Sequence, residues 1–139
     1  MGDRLDAIVT GVGIVAPGGA TRETFWENTR QGQSATRTTT LCDPSPFRSK
    51  IAGEVDFDPI VGGLSVEEAE FLDRAAQLLV TATVEAVADS SGALNDVHPE
   101  RIGVYIGSAV GATMSMEEIY RLTSRDGEMI EVDEILDRD

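Results

Sequence analysis

Residues 74–89 have the sequence RAAQLLVTATVEAVAD, and this stretch decides the fold class. It predicts a helix with apolar residues on nearly every face, whereas a helix at a protein surface has one apolar stripe. We therefore expect the helix Arg74–Asp89 to be buried between two layers. Too few strands can be predicted elsewhere to cover it on all sides. The sequence thus predicts that further chain, or a partner, completes this core.

Two strands are predicted around this helix. Residues 5–15 are rich in apolar and β-branched side chains, and residues 101–108 alternate apolar and other residues. Residues 38–40 and 51–55 are weaker candidates for short strands. Because strands and helices alternate along the chain, the predicted fold class is α/β.

Three further helix starts are predicted from capping patterns. Thr21 precedes a helix that we expect to stop at Gly32. Ser65 and Ser115 are each followed three residues later by Glu, the spacing of a capping box, in which each side chain satisfies a free backbone N–H of the first turn. The second of these boxes predicts a helix that runs toward Leu122.

The chain of 139 residues has 25 acidic and 11 basic residues, a net charge of −14. This charge argues against nucleic acid and anionic membranes as partners. No apolar run reaches the roughly 20 residues of a membrane span, and acidic residues at the start argue against a signal peptide. We therefore expect a cytoplasmic location. Residues 117–139, with nine acids and three arginines, are interpreted as a solvated acidic segment.

A glycine pattern follows the first predicted strand. Residues 11–16, GVGIVA, match the G-x-G-x-x-A form of a dinucleotide-binding motif. In that motif a helix opens next and holds the pyrophosphate at its N-terminus, but here Pro17-Gly18-Gly19 follows. We interpret the glycines as positions of close backbone packing. No cofactor is predicted, and one cysteine with one histidine cannot form a thiolate metal site.

Candidates for catalysis are few. A Cys42–His98 dyad is disfavoured because both residues lie in loops without a helix N-terminus or a base to stabilise a thiolate. The carboxylate pairs Asp56/Asp58 and Glu67/Glu68 are ordinary loop and first-turn residues. The best local candidate for function is the turn at residues 107–114, because ligand crevices of α/β proteins open at the carboxyl ends of strands.

In their order and spacing, these segments resemble the start of β-ketoacyl synthases of the thiolase fold along nearly the whole chain, residues 1–139. The motifs that carry the resemblance are Ile8–Gly13 with Ala16–Gly19, Phe25-Trp26 with Gly32–Ser34, Leu72–Ala75 with Ala88–Ser90, and Arg101–Val104 with Gly107-Ser108. The resemblance implies an incomplete N-terminal half of a layered αβαβα fold.

Finer features are most similar to the alpha ketosynthase subunit of type II aromatic polyketide synthases. They are found in residues 35–37, 42–49 and 56–59. Two departures are Cys42, where the family usually has an aromatic residue, and the extra serine in Ser90-Ser91-Gly92.

The resemblance implies a decarboxylative Claisen condensation of malonyl units on an acyl carrier protein, with a cysteine nucleophile and two histidines. None of these matches a residue of this chain, so we expect no catalytic residue here and no activity of the chain alone. Val110 matches a position that lines the acyl pocket, with Thr113 and Met114 nearby. The implied partners are the remainder of the ketosynthase, a chain-length-factor subunit that forms a dimer with it, and the acyl carrier protein.

Two alternatives stay open at this point. One is a non-catalytic subunit, similar to the chain-length factor, that shapes the polyketide tunnel. The other is an independent small binding domain.

Overall fold

A computed structural model of the chain describes residues 6–125 and 128–129. Leu5 and most of the acidic segment 117–139 lie outside the described residues. The elements in chain order are α1 (Arg22–Arg30), β1 (Thr36–Thr38), β2 (Ile51–Gly53), α2 (Val66–Phe71), α3 (Arg74–Asp89), a 3₁₀ turn (Pro99–Arg101), α4 (Thr113–Thr123), β3 (Ser124–Arg125) and β4 (Glu128–Met129).

The central helix α3 has the predicted bounds. The side chain of Asp73 caps its first turn by accepting a hydrogen bond from the Ala76 N–H at 2.9 Å. Thr81 is the one buried residue of this helix, which agrees with the prediction that further chain or a partner is needed to complete the core around it. Val84, for example, is 53% exposed. The layered αβαβα arrangement therefore stays a prediction.

The two predicted main strands are not formed among the described residues. Residues 6–11 and 102–108, called the open segments from here on, belong to no strand ladder. A strand needs a neighbouring strand to pair its backbone groups, and no other described segment pairs with either one. The strand prediction is thus wrong for this chain alone.

The short strands form, with shifted bounds. β1 and β2 pair antiparallel, with Thr36 opposite Gly53 and Thr38 opposite Ile51. The predicted strand at residues 38–40 is correct only at Thr38. Thr39 and Thr40 lie outside the strand, and both bind the carboxylate of Glu54.

Two of the three predicted helix starts are confirmed, the N-cap at Thr21 and the capping box at Ser65. Thr21 Oγ1 accepts from the Thr24 N–H at 3.3 Å, and Ser65 Oγ accepts from the Glu68 N–H at 3.1 Å. α1 ends next to Gly32, which has φ +68°. The box at Ser115 is wrong: α4 begins at Thr113, and Ser115 lies inside it with its hydroxyl 3.2 Å from Asp73 Oδ2.

The chain exposes far more surface than its mass requires. It has an accessible surface of 11613 Å² at 14.8 kDa, whereas a compact monomer of this mass exposes about 7000 Å². Among residues 6–124, Leu64 is the one apolar residue that is buried. The fold thus has local structure without an apolar core of ordinary size.

Candidate functional site

The turn at residues 107–114 is shaped by its own side chains. The Gly111 N–H donates to Ser108 Oγ at 2.7 Å, and Thr113 Oγ1 donates to the Val110 carbonyl at 3.2 Å. Gly111 has φ +64°, a conformation that favours glycine. The turn therefore presents Val110 at its tip and leads directly into α4.

The three predicted substrate-binding residues line two separate grooves. Val110 and Thr113 line a groove of about 590 Å³ along α4, together with Met116 and Tyr120. Thr113 and Met114 line a smaller groove of about 230 Å³ against α3. The structure thus brings Thr113 next to both of the others, but it places Val110 and Met114 in different grooves.

The side chains of Val110 and Met114 are open to solvent. Val110 is 69% exposed and Met114 is 73% exposed, whereas Thr113 is half-buried. These three side chains supply apolar surface and one hydroxyl group, with no acid or base. They can hold an apolar chain but cannot transfer a proton.

A third groove, missed by the sequence analysis, lies behind the turn. It has a volume of about 450 Å³ and is lined by residues that include Leu79, Ile106 and Ser108. Its polar side comes from Asp73 and Ser115, which contact each other. The sequence feature that could have indicated this groove is Asp73, which stands at the capping position directly before α3. Asp73 caps α3 and also binds α4, so it fixes the turn against the central helix.

The disfavoured Cys42–His98 dyad has no structural support. Cys42 is exposed, and within the described residues no hydrogen bond joins it to His98. The His98 side chain is 69% exposed, with Nδ1 at 3.8 Å from Glu100 Oε2.

Three of the four carboxylates in the predicted pairs have structural partners. Asp56 forms two hydrogen bonds with Arg37, at 2.5 and 2.6 Å, and this guanidinium lowers the pKa of Asp56. Asp58 accepts from the Ile60 N–H at 2.9 Å. Glu68 belongs to the capping box of α2. Their interpretation as ordinary loop and first-turn residues agrees with these contacts.

The glycine motif packs against α3, as interpreted from the sequence. A Cβ on Gly11 would lie 2.1 Å from the Ala86 carbonyl oxygen, and one on Gly13 would lie 1.8 Å from that of Ala82. The next residues are fixed by acidic side chains of α3. The N–H groups of Val12 and Ile14 donate to Asp89 at 3.0 Å and to Glu85 at 2.6 Å, respectively.

The strongest electrostatic feature of the described chain is the carboxylate of Glu54, which sequence reasoning also missed. The Glu54 side chain is 4% exposed and accepts a bond from Arg37 Nε at 3.2 Å. It also accepts bonds from the loop at residues 39–41, from Thr39 Oγ1 (2.6 Å), Thr40 N (2.7 Å), Leu41 N (2.9 Å) and Thr40 Oγ1 (2.9 Å). These donors, led by Thr39, hold the pKa of Glu54 far below its ordinary value. Because it is fully engaged, this carboxylate organises a loop and is not a free base.

Within residues 6–125 and 128–129, no group of three or more His, Cys, Asp or Glu side chains is placed to hold a metal ion. The helices of this part of the chain are all too short or too polar to cross a membrane.

Comparison with known sequences decides the family. The sequence profile of the β-ketoacyl synthase N-terminal domain matches residues 6–134. The chain belongs to the β-ketoacyl synthase family. Within this family it is 48% identical, over 129 residues, to the ketoacyl synthase alpha subunit of the tetracenomycin polyketide synthase of Streptomyces glaucescens. It is 32% identical, over 117 residues, to 3-oxoacyl-[acyl-carrier-protein] synthase 2 of Staphylococcus aureus.

These β-ketoacyl synthases are much longer than the present chain. The alignments cover 93% and 84% of the chain, but only 30% and 28% of the two relatives. The chain thus spans less than a third of the length of these β-ketoacyl synthases.

Proposed function

We propose that the chain is the N-terminal portion of a polyketide β-ketoacyl synthase. The complete enzyme would catalyse decarboxylative Claisen condensation of malonyl units on an acyl carrier protein. The observation that carries this proposal is the identity of 48% to a polyketide synthase subunit, against 32% to the acyl-carrier-protein synthase. The ketoacyl synthase name of the first relative favours a catalytic subunit over a non-catalytic subunit similar to the chain-length factor.

In this proposal, the chain contributes acyl binding and no catalytic residue. Val110, Thr113 and Met114 would line the acyl pocket. Their supporting features are the apolar grooves on both sides of Thr113 and the lack of acids and bases among the three side chains. The nucleophilic cysteine and the two histidines would come from the rest of the enzyme.

The partner would be the remainder of the ketosynthase. The exposed surface exceeds that of a compact monomer by about 4600 Å², which is more than the roughly 1000–2500 Å² that each partner contributes to an obligate interface. The open segments offer backbone groups for strand pairing. A chain-length-factor subunit and the acyl carrier protein would complete the assembly, as a dimer in the cytoplasm.

Reconstitution tests this proposal. The purified chain is incubated with malonyl and acyl forms of an acyl carrier protein, alone and together with a polypeptide that supplies the rest of a type II alpha ketosynthase. We expect condensation products, detected by mass spectrometry of the carrier protein, only in the second mixture. Condensation by the chain alone would contradict the proposal, as would inactivity of a mixture in which the two polypeptides co-purify.

A substitution in the acyl groove sharpens the test. In the active mixture, Val110→Trp should shorten the products because the larger side chain fills the groove. Val66→Trp is the matched control, since Val66 is also exposed (61%) but lies at the start of α2. Equal product lengths for both variants would remove Val110 from the proposed pocket.

A further inference from the structure

The turn at residues 107–114 and the helix α4 have one polar connection to the preceding part of the described chain. The Ser115 hydroxyl donates to Asp73 Oδ2 at 3.2 Å, across 42 positions in sequence. Within residues 6–125, every other hydrogen bond of residues 107–123 stays inside residues 107–125. The position of the turn relative to α3 thus depends on this bond more than on any other polar contact.

Neither capping nor apolar packing fixes α4 against the rest of the described chain. Its N-cap residue, Ala112, makes no side-chain hydrogen bond to the first turn. The larger apolar side chains of α4 are all more than half exposed: Met114, Met116, Ile119, Tyr120 and Leu122. Because burial of an apolar face is what ordinarily holds a helix in place, it contributes little to the position of α4 here. The bond from Ser115 to Asp73 is therefore the specific contact that sets this position.

Asp73 uses its two carboxylate oxygens for different helices. Oδ1 accepts from the Ala76 N–H of α3 at 2.9 Å, and Oδ2 accepts from Ser115 of α4. Both residues are half-buried, which strengthens their bond relative to one in open water. Asp73 also lines the grooves of about 230 and 450 Å³ between the turn and α3. A shift of α4 away from Asp73 would therefore change the width of both grooves.

We propose that Asp73 and Ser115 are positioning residues for the acyl site. Their bond holds the turn at a fixed distance from α3, and this distance sets the width of the groove beside Thr113 and Met114. The inference rests on the proposed role of Thr113 and Met114 in acyl binding. The pair takes no part in bond-making, so its loss changes the binding of the acyl chain and not the chemical step.

Kinetics of the reconstituted enzyme test this role of Ser115. Ser115→Ala should raise the KM for the acyl form of the carrier protein about threefold to tenfold, with kcat nearly unchanged, because one hydrogen bond to a charged group is lost. Ser115→Thr keeps a hydroxyl group and should restore the native KM. A purely structural role would reduce the amount of active enzyme, which lowers kcat and leaves KM unchanged. That result would overturn the proposal.

Thr123→Ala is the matched control, since it removes a hydroxyl group from the same helix. The Thr123 hydroxyl donates to the Ile119 carbonyl at 2.7 Å, within α4, and does not connect α4 to α3. This variant should keep the native KM. Equal KM values for Ser115→Ala and Thr123→Ala would also overturn the proposal.

Asp73→Ser separates the two functions of the Asp73 carboxylate. Serine is a good N-cap residue, so it keeps the bond to the Ala76 N–H, but its single oxygen leaves Ser115 without its partner. The variant should raise the KM as much as Ser115→Ala does, and the double variant should be no worse than either single one. Additive effects would show that the two residues act separately and would overturn the pair.

A measurement on the chain alone distinguishes this inference from the proposed function. The methyl signals of ¹³C-labelled methionine report the surroundings of Met114 and Met116, which flank Ser115. Ser115→Ala and Asp73→Ser should shift these signals alike, whereas Thr123→Ala should leave them in place. Unchanged signals in the first two variants would overturn the positioning pair. If the signals shifted but the mixture with the native chain were inactive, the proposed function would fail and the positioning of the turn by Asp73 would stand.

Discussion

Residues 33–64 are held by hydrogen bonds from side chains within the same region, whereas residues 102–108 are not held by such bonds. In the first region, polar side chains fix the backbone: Glu54 binds residues 39–41, and Lys50 Nζ donates to the carbonyls of Pro44, Ser45 and Phe47 at 2.5–2.7 Å. In the second, Val104 is 81% exposed and Tyr105 is 96% exposed, and no strand among residues 6–125 and 128–129 pairs with them. Short-range side-chain bonds can thus complete a loop, whereas a strand depends on backbone from elsewhere.

The largest effect of a substitution on assembly is expected at residues 102–108, where this open segment would meet the remainder of the ketosynthase. Val104→Asp should change the stability of the chain alone by less than about 0.5 kcal/mol, because the residue is exposed. In the reconstituted enzyme the same change should cost about 3 kcal/mol or more, because an unpaired charge is buried. Analytical ultracentrifugation of the mixture would measure the loss of assembly.

Val66→Asp is the control for this prediction, since Val66 is an exposed apolar residue at the start of α2. It should leave assembly intact. If Val104→Asp also assembled normally, residues 102–108 would not be a buried strand of the complete enzyme.

A smaller effect is expected on stability, where alanine substitutions at Gly13 and Gly107 should differ. Gly13→Ala should destabilise the chain by about 1–3 kcal/mol, because a Cβ would lie 1.8 Å from the backbone oxygen of Ala82 and would force the segment away from α3. Gly107→Ala should be nearly neutral in the chain alone, because no atom lies within 4 Å of its added Cβ. Urea denaturation of both variants would measure the difference, and equal midpoints would contradict the packing described for Gly13.

The buried carboxylate of Glu54 gives the next prediction. Glu54→Gln should lower the melting temperature by about 5 °C or more, because an amide N–H₂ group would face donors that now bind an oxygen. Asp56→Asn should change it by less than about 2 °C, since the Asp56 side chain is 78% exposed. Circular dichroism melts at neutral pH would test this order, and a larger effect of Asp56→Asn would contradict it.

The smallest effect is the pH dependence that Glu54 adds. Its pKa is lowered in the folded chain from an ordinary value of 4.5, so the unfolded state binds more protons in acid. The contribution is complete above about pH 5.5 and declines as the pH falls through 4.5 toward the folded pKa. Between pH 6 and 3, the denaturation midpoint of the native chain should therefore fall more steeply than that of Glu54→Gln. Parallel curves would show that the folded pKa is not lowered.

Features set by neighbouring residues could be predicted from the sequence. The bounds of α3 and the caps at Thr21 and Ser65 depend on side chains a few positions away, and all were correct. The Ser115 box had the same spacing and was wrong, because Ser115 binds Asp73, 42 residues away in sequence. The role of Glu54 depends likewise on a loop that only the fold brings to it.

Less of the candidate site could be predicted from neighbouring residues in the sequence. Glycines and a strand end indicated the turn at 107–114, but the roles of Val110, Thr113 and Met114 came from family resemblance and stay predictions. The grooves beside them depend on how α4 lies against α3. No pattern within residues 107–114 determines that position.

The segment IGVYIGS at residues 102–108 has one further consequence, for solubility. It is β-prone, without charge or proline, and exposed over most of its length, which are the features of segments that stack on identical copies in fibrils. The net charge of −14 opposes such self-association, because like-charged chains repel. We therefore expect electrostatic repulsion to oppose aggregation of this chain, and concentrated salt to weaken that effect.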